Sequence, residues 1–247
     1  MMAGWDAATG LLPLLLAYAR IQACVLAMPG FGEAFLTARV KVGLAAALTP
    51  MFAVPVAATM PDAGALALLV GAELLTGLLL GIAVRLLALS LDIAATALAQ
   101  SASLAQIMGI SPDMPPHPIG NLVHLAGLAV LMAMGLPVLL CRLLADSFAL
   151  RGLGGAWPRA EEAWRAIPPL VADSFALAML LAAPFILGGF LFQALSGVVA
   201  RVMPALPVVF LAAPAAILLA LVALALLTPG ILALWADHVL SAGPGTP

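Results

Sequence analysis

The chain has 247 residues, of which 65% are hydrophobic and 8% are charged, and its formal net charge is −2. Soluble domains carry about 25% charged residues, so the composition indicates an integral membrane protein. Continuous apolar runs, without a period of two, favour helices over an outer-membrane barrel, and the charge suggests no nucleic-acid partner.

Six apolar segments follow one another along the chain, at 11–28, 40–60, 64–91, 119–141, 170–200 and 208–227. Pro50 and Pro55 interrupt the second segment, which is typical of a broken or re-entrant hairpin. A polar linker at 151–169 separates the fourth segment from the fifth. We predict an all-α, polytopic membrane protein with about five to six hydrophobic segments. They form one domain over 1–247, with a short flexible tail from about 240 to 247.

The third segment carries two charges inside an apolar helix. Arg85 follows Glu73 by 12 residues, which is about 18 Å along a helix, so both fall within a hydrocarbon core about 30 Å thick. Each charge costs roughly 2.5–3.5 kcal/mol against lipid, so we expect protein partners for both. Gly77 and Gly81 lie between them as a G-x-x-x-G pair, which allows another backbone to approach closely. Asp92 follows Arg85 by seven residues, on nearly the same face.

Arg20 interrupts the first apolar run, and Arg201 and Pro204 stand in a Pro-rich corner at 201–207. Intramembrane charges such as Arg20, Glu73 and Arg85 are typical either of a proton or ion relay or of buried ion pairs between helices or subunits. Arginines dominate here and do not release protons usefully, which favours ion pairs.

The segment between the third and fourth apolar runs is rich in proline and predicts an irregular loop. Irregular backbone between apolar helices is tolerated where it is buried in protein or lines a cavity, so one interpretation is a pore-facing loop, and the other is a plain surface loop. The candidate residues of this loop are Met108, Gly109, Pro112, Asp113, Met114, Pro115, Pro116, His117, Pro118 and Gly120.

The sequence offers little for catalysis. His117, His124 and His238 are scattered and are interpreted as isolated polar residues, because no ligand set for a metal accompanies them. We find no nucleophile constellation and no phosphate-binding loop. The sequence therefore predicts no enzymatic activity, no metal and no cofactor.

The distribution of Lys and Arg gives two alternatives. If all six segments cross the bilayer, Arg39, Lys41 and Arg201 lie on one side and Arg142, Arg151, Arg159 and Arg165 on the other. If the second segment does not cross, six of these basic residues lie on one side of the bilayer and only Arg201 lies on the other. Only this second division gives a clear orientation in the membrane.

Four blocks in order resemble the FliR family of flagellar biosynthetic proteins. Residues 11–50 are similar to its opening helix, P-x-F-G turn and basic run, 73–85 to its E-L-x-x-G-x-x-x-G helix, and 146–148 to its D-S-F motif. A block at 197–214 is similar to its G-x-x-x-R-x-x-P-x-x-x-V-F region, although Pro207 replaces the usual Asn. The matching positions of the first and last blocks are Arg20, Pro29, Phe31, Gly32, Arg39, Lys41, Gly43, Leu44, Gly197, Arg201, Pro204, Val209, Phe210 and Pro214.

The resemblance implies a core subunit of the type III export gate in the bacterial inner membrane, at the flagellar basal body. Its implied partners are FliP-like, FliQ-like and FlhB-like subunits, together with exported flagellar proteins in transit and membrane lipid. The same sequence features also suit the corresponding export subunit of the injectisome, an SctT-type protein. A small-solute secondary transporter is the alternative from another class, because helices broken by proline with internal charges suit one.

Overall fold

The part of the chain that the computed structural model describes is mostly helical and comprises residues 7–53, 61–101, 118–155, 160–203 and 208–241. No strand occurs in those ranges. The helices are α1 (Ala7–Ala27), α2 (Ala38–Phe52), α3 (Ala63–Ser101), α4 (Pro118–Met134), α5 (Leu136–Leu150), α6 (Ala160–Val202) and α7 (Val208–Ser241). The predicted all-α class is confirmed.

Three helices are long and apolar enough to cross a membrane, in the segments Ala63–Ala97, Ile167–Val202 and Pro214–Ser241, within the described residues. Counting the bent pair α4–α5 as one span gives four, and α1 contributes a shorter apolar helix. These lengths fit the predicted polytopic membrane protein. Helix α2 has 15 residues, about 22 Å, so it is shorter than the hydrocarbon core.

The fourth apolar segment differs from the prediction of one continuous span. It is divided into α4 and α5, which are bent by 64° where they meet. Gly135 lies at the break with a φ of +124°, a conformation that side chains rarely adopt and glycine adopts freely. Pro137 stands in the first turn of α5, where its missing N–H costs nothing, so the glycine and not the proline makes the bend.

Two helices extend beyond their predicted limits. Helix α6 begins at Ala160, inside the stretch expected to be a polar linker, and α7 continues through Pro229 to Ser241. Proline removes a backbone donor from a helix. The preceding residue, Thr228, donates from its hydroxyl to the carbonyl of Leu224 at 2.5 Å.

Two compact units divide the chain. The first comprises 1–87, 135–171 and 240–247, and therefore contains α1, α2, the first part of α3 and α5. The second comprises 88–134 and 172–239, with the rest of α3, α4, most of α6 and most of α7. Leu16, Ile21 and Leu144 are buried in the core of the first unit, and Leu131 and Trp235 in that of the second.

Candidate functional site

Arg20 of α1 and Glu73 of α3 form an ion pair in the interior of the first unit. The Arg20 Nε atom donates to Glu73 Oε2 across 2.6 Å, and both side chains are fully buried. Removing two charges from water is costly, so such a pair is tolerated only when good geometry and further hydrogen bonds satisfy it. The end of α5 and the turn that follows supply several such bonds, and Arg20 Nη2 alone of the guanidinium nitrogens has no partner among the described residues.

The Arg20 guanidinium caps the C-terminus of α5. Its Nη1 atom donates to the Ser147 carbonyl at 3.0 Å, the Ser147 hydroxyl at 3.1 Å and the Arg151 carbonyl at 2.9 Å. The last carbonyls of a helix lack intrahelical partners and carry the negative end of its dipole, so a buried cation is favourable there. The Phe148 ring lies 4.3 Å from Arg20 Cζ and stacks on Phe52 of α2.

Glu73 holds the turn that follows α5. Its Oε1 atom accepts a hydrogen bond of 3.0 Å from the backbone N–H of Gly154, whose φ of +72° suits glycine. Arg151 Nη2 donates to the Ala72 carbonyl at 3.4 Å. One buried pair therefore joins α1, α3, the end of α5 and the turn at 151–155, and we call Arg20, Glu73, Ser147, Arg151 and Gly154 the α5 clamp.

Gly77 and Gly81 allow α1 to lie directly against α3. A Cβ atom at Gly77 would stand 2.0 Å from the Arg20 carbonyl oxygen, and one at Gly81 would stand 2.6 Å from the Ala27 Cβ. No side chain fits at either position, so the backbones meet there as a G-x-x-x-G pair permits. The close approach places Arg20 within reach of Glu73, one turn before Gly77.

A second charged cluster holds the turn between α1 and α2. Arg85 Nη2 donates to Glu33 Oε1 at 2.9 Å, and its Nη1 donates to the Ala27 carbonyl at 3.2 Å. Lys41 Nζ donates to the Gly32 carbonyl at 2.9 Å. This pair is partly accessible, since Arg85 keeps 38% and Glu33 17% of its side-chain exposure. It lies about 18 Å along α3 from the α5 clamp.

Two His–Asp pairs in the second unit were missed by sequence reasoning. Asp92 Oδ1 lies 2.5 Å from His124 Nδ1, between α3 and α4, and Asp173 Oδ2 lies 2.8 Å from His238 Nε2, between α6 and α7. The interpretation of His124 and His238 as isolated residues is therefore wrong. Each lies in a largely apolar helix, where a polar ring needs a partner, but its aspartate is 32 or 65 residues away in the sequence.

The remaining predicted residues are spread along the chain. Arg201 is exposed in the last turn of α6, while Pro204 lies outside the described residues. The predicted loop residues Met108, Gly109, Pro112, Asp113, Met114, Pro115, Pro116 and His117 also lie outside them. Pro118 begins α4, and Gly120 belongs to its first turn, so the end of the predicted loop is helical. Proline is favoured at the first position of a helix.

The chemistry of the α5 clamp suits a structural joint better than a proton relay. A relay needs groups that pass protons on, which an arginine side chain does poorly, and Arg20 lies directly against the one carboxylate of the clamp. Among the described residues, no group of three or more His, Cys, Asp or Glu side chains is placed to hold a metal ion. The arrangement fixes four chain segments in one geometry.

Comparison with known proteins gives a consistent result. The model of the family described as bacterial export proteins, family 1, matches residues 11–242. The flagellar biosynthetic protein FliR of Caulobacter vibrioides is 32% identical over 229 residues, which cover 90% of this chain and 91% of that protein. The α5 clamp and the Arg85–Glu33 pair both lie within the matched range.

Proposed function

The chain belongs to the bacterial export proteins, family 1, and from this premise we propose that it is a non-enzymatic core subunit of the flagellar type III protein export gate. The observation that carries the proposal is the 32% identity to a flagellar biosynthetic protein over nine-tenths of both chains. Three to four apolar spans in the described residues support a place in the membrane. We further propose that residues 1–247 act as one domain in the bacterial inner membrane, at the flagellar basal body.

The buried charges suit a subunit that keeps its shape while other chains pass beside it. The α5 clamp joins four segments through an ion pair with no exposed side chain, and truncating one partner of such a pair is strongly destabilising. A rigid frame of this kind helps to form the pore through which unfolded flagellar proteins are secreted. In this proposal the chain assembles with FliP-like, FliQ-like and FlhB-like subunits, and membrane lipid contacts the outer surface of the complex.

The Pro-rich loop at 108–117 is proposed to face the pore and to contribute to its closure. Its support is the position between two apolar helices, because irregular backbone at membrane depth is tolerated in a protein-lined cavity. Deleting 113–117 leaves α4 intact, since that helix begins at Pro118. We expect ion leakage in cells that produce the whole gate. Normal export without leakage would remove the loop from any sealing role.

Loss of the gene tests the function. A deletion strain is expected to lose both its flagella and the secretion of flagellar proteins, and the full-length chain supplied in trans restores them. Normal motility together with loss of injectisome secretion would assign the chain to that related system instead. Normal secretion in both systems would refute the proposal and would favour the solute transporter.

A further inference from the structure

The turn between α1 and α2 and the start of α2 carry a surplus of positive charge. Arg39 and Lys41 belong to this part of the chain, and Arg85 reaches it from α3 through its pair with Glu33. Three cations face one carboxylate there. Arg39 is exposed and makes no hydrogen bond or ion pair with the residues that the structure describes. Its N–H donors are therefore available to an anion from outside the chain.

An apolar pocket lies in the same unit, between α1, α2 and the start of α3. It encloses about 450 Å³. Its two hydroxyl groups are already bonded within the chain, since Tyr18 donates to Gln22 Oε1 at 3.2 Å and Thr49 to the Ala45 carbonyl at 2.7 Å. The side chains of the pocket therefore present an apolar surface to a ligand. The residues used below are Leu11, Leu15, Tyr18, Ala46, Thr49 and Leu66.

The basic residue and the pocket share one face of α2. Ala46, which lines the pocket, follows Arg39 by seven residues, so two helical turns place both side chains on nearly the same face. Ala46 is about 10 Å and Thr49 about 15 Å from Arg39 along the helix. One leaflet of the hydrocarbon core is also about 15 Å deep, half of the total thickness. An acyl chain whose headgroup lies at Arg39 therefore reaches the pocket.

We propose that Arg39, Lys41 and this pocket bind an anionic phospholipid, with the phosphate at the two basic residues and one acyl chain in the pocket. A guanidinium group donates two parallel N–H bonds to a phosphate, which suits the unpaired Arg39. Phe35 of the preceding turn is 61% exposed, and aromatic side chains favour the level of the headgroups. The inference goes beyond the proposed function, because it requires only that α1 and α2 lie in a membrane.

Other occupants suit this surface less well. A free phosphate ion binds at the basic residues and leaves the pocket without a ligand. A zwitterionic headgroup brings a second cation close to Arg39 and Lys41. An apolar helix of another protein fits the pocket but has to supply a carboxylate at the level of Arg39. An anionic phospholipid carries the negative charge and the flexible apolar chain in one molecule.

Titration with defined lipids tests the recognition of charge. The full-length chain is purified from native membranes in mild detergent, with the proteins that accompany it, and native mass spectrometry measures bound lipid. We expect phosphatidylglycerol to bind about fivefold more tightly than phosphatidylcholine with the same acyl chains, which is equivalent to about 1 kcal/mol. Equal affinities would refute the proposal. Displacement of the lipid by inorganic phosphate alone would indicate a plain anion site and would also overturn it.

Substitutions of arginine locate the headgroup. Arg39→Gln removes the unpaired cation, and Arg201→Gln removes another exposed arginine, at the end of α6. We expect about fivefold weaker binding of phosphatidylglycerol with Arg39→Gln, and at most about a twofold change with Arg201→Gln or Arg39→Lys. Similar losses with both glutamine variants would contradict a site at Arg39.

Substitutions of alanine locate the acyl chain. Ala46→Trp fills the pocket, whereas Ala47→Trp places the same side chain at a neighbouring exposed position that does not line it. We expect about tenfold weaker binding of both lipids with Ala46→Trp and at most about a twofold change with Ala47→Trp. Equal binding by the two variants, at unchanged amounts of chain in the membrane, would refute a role of the pocket.

Photo-crosslinking identifies the occupant in cells. p-Benzoylphenylalanine replaces Leu11, which lines the pocket and is 62% exposed. We expect an adduct with a phospholipid. An adduct with another protein or with a second copy of this chain, or no adduct at all, would overturn the proposal. The export role is tested separately by the deletion strain, so the lipid site and the export role fail or stand independently.

Discussion

Helices α3 and α6–α7 use glycine and polar residues in opposite ways. In α3, Gly77 is filled by the backbone of α1, and Glu73 beside it is completed by Arg20. In α6, Gly188 faces open space and Gln193 is exposed without a partner among the described residues. In an apolar stretch of 18 residues from each helix, the buried share follows the same order, 39% for α3, 28% for α6 and 6% for α7.

The difference indicates which helices find partners for their polar side chains and glycines within the chain itself. Around α3, the buried charges and the glycines make their contacts with α1, with α5 and with the turn at 151–155 that follows α5. By contrast, α6 and α7 expose apolar side chains, small residues and the amide of Gln193 to their surroundings. We therefore expect substitutions in the α5 clamp to change the stability of the chain strongly, and substitutions on the exposed face of α6 to change it little.

Removing one charge of the α5 clamp is expected to have the largest effect on stability. Glu73→Gln keeps the side-chain shape but leaves the buried Arg20 guanidinium without its counter-ion. Breaking a buried pair in this way costs about 3–5 kcal/mol. The measurement is the free energy of unfolding in detergent, together with the amount of chain in the membrane.

The double variant Arg20→Met/Glu73→Leu is the control, because it removes both charges from the same site. Its loss of stability should be smaller than the sum of the two single losses, since no buried charge is left alone. Additive losses would mean that the two side chains do not depend on each other.

Substitution by alanine should change the free energy of unfolding in opposite directions at Gly77 and at Gly188. Gly77→Ala forces α1 away from α3 and is expected to cost about 1–3 kcal/mol of the free energy of unfolding, as overpacking does. Gly188→Ala adds a Cβ atom in open space and should stabilise the isolated chain by roughly 0.5–1 kcal/mol. Equal effects at both positions would contradict the contrast between the helices.

Neutralising Glu33 is expected to have the smallest effect. Glu33→Gln removes the partner of Arg85, which keeps 38% of its side-chain exposure and its hydrogen bond to the Ala27 carbonyl. A partly exposed pair contributes about 0.2–1 kcal/mol, and salt weakens it. Unfolding at low and high salt measures this loss. A loss as large as that of Glu73→Gln would show that the turn at 28–37 belongs to the rigid core.

The sequence was sufficient to predict that Glu73 needs a protein partner, because its depth in an apolar helix follows from counting residues. It did not identify Arg20 as that partner, which is 53 residues away. The G-x-x-x-G spacing indicated a close contact at Gly77 and Gly81, and the packing of α1 explains both glycines. Local sequence patterns therefore predicted that these residues need a partner, and only the fold identified which residues the partners are.

Other features depended on competing local rules. The bend between α4 and α5 was missed because an apolar run gives no sign of the left-handed backbone at Gly135. The extension of α7 through Pro229 was missed because proline normally interrupts helices. The pairs of Asp92 with His124 and Asp173 with His238 join residues far apart in the chain, so spacing alone did not reveal them.

Purification from native membranes tests most directly whether α6 and α7 are completed by other proteins. The tagged chain of 25.0 kDa is produced at its natural level and extracted in mild detergent, and the proteins that accompany it are identified and quantified. We expect a defined complex with other small hydrophobic proteins at constant ratios. A stable, solitary chain from cells with fully active flagellar export would contradict it.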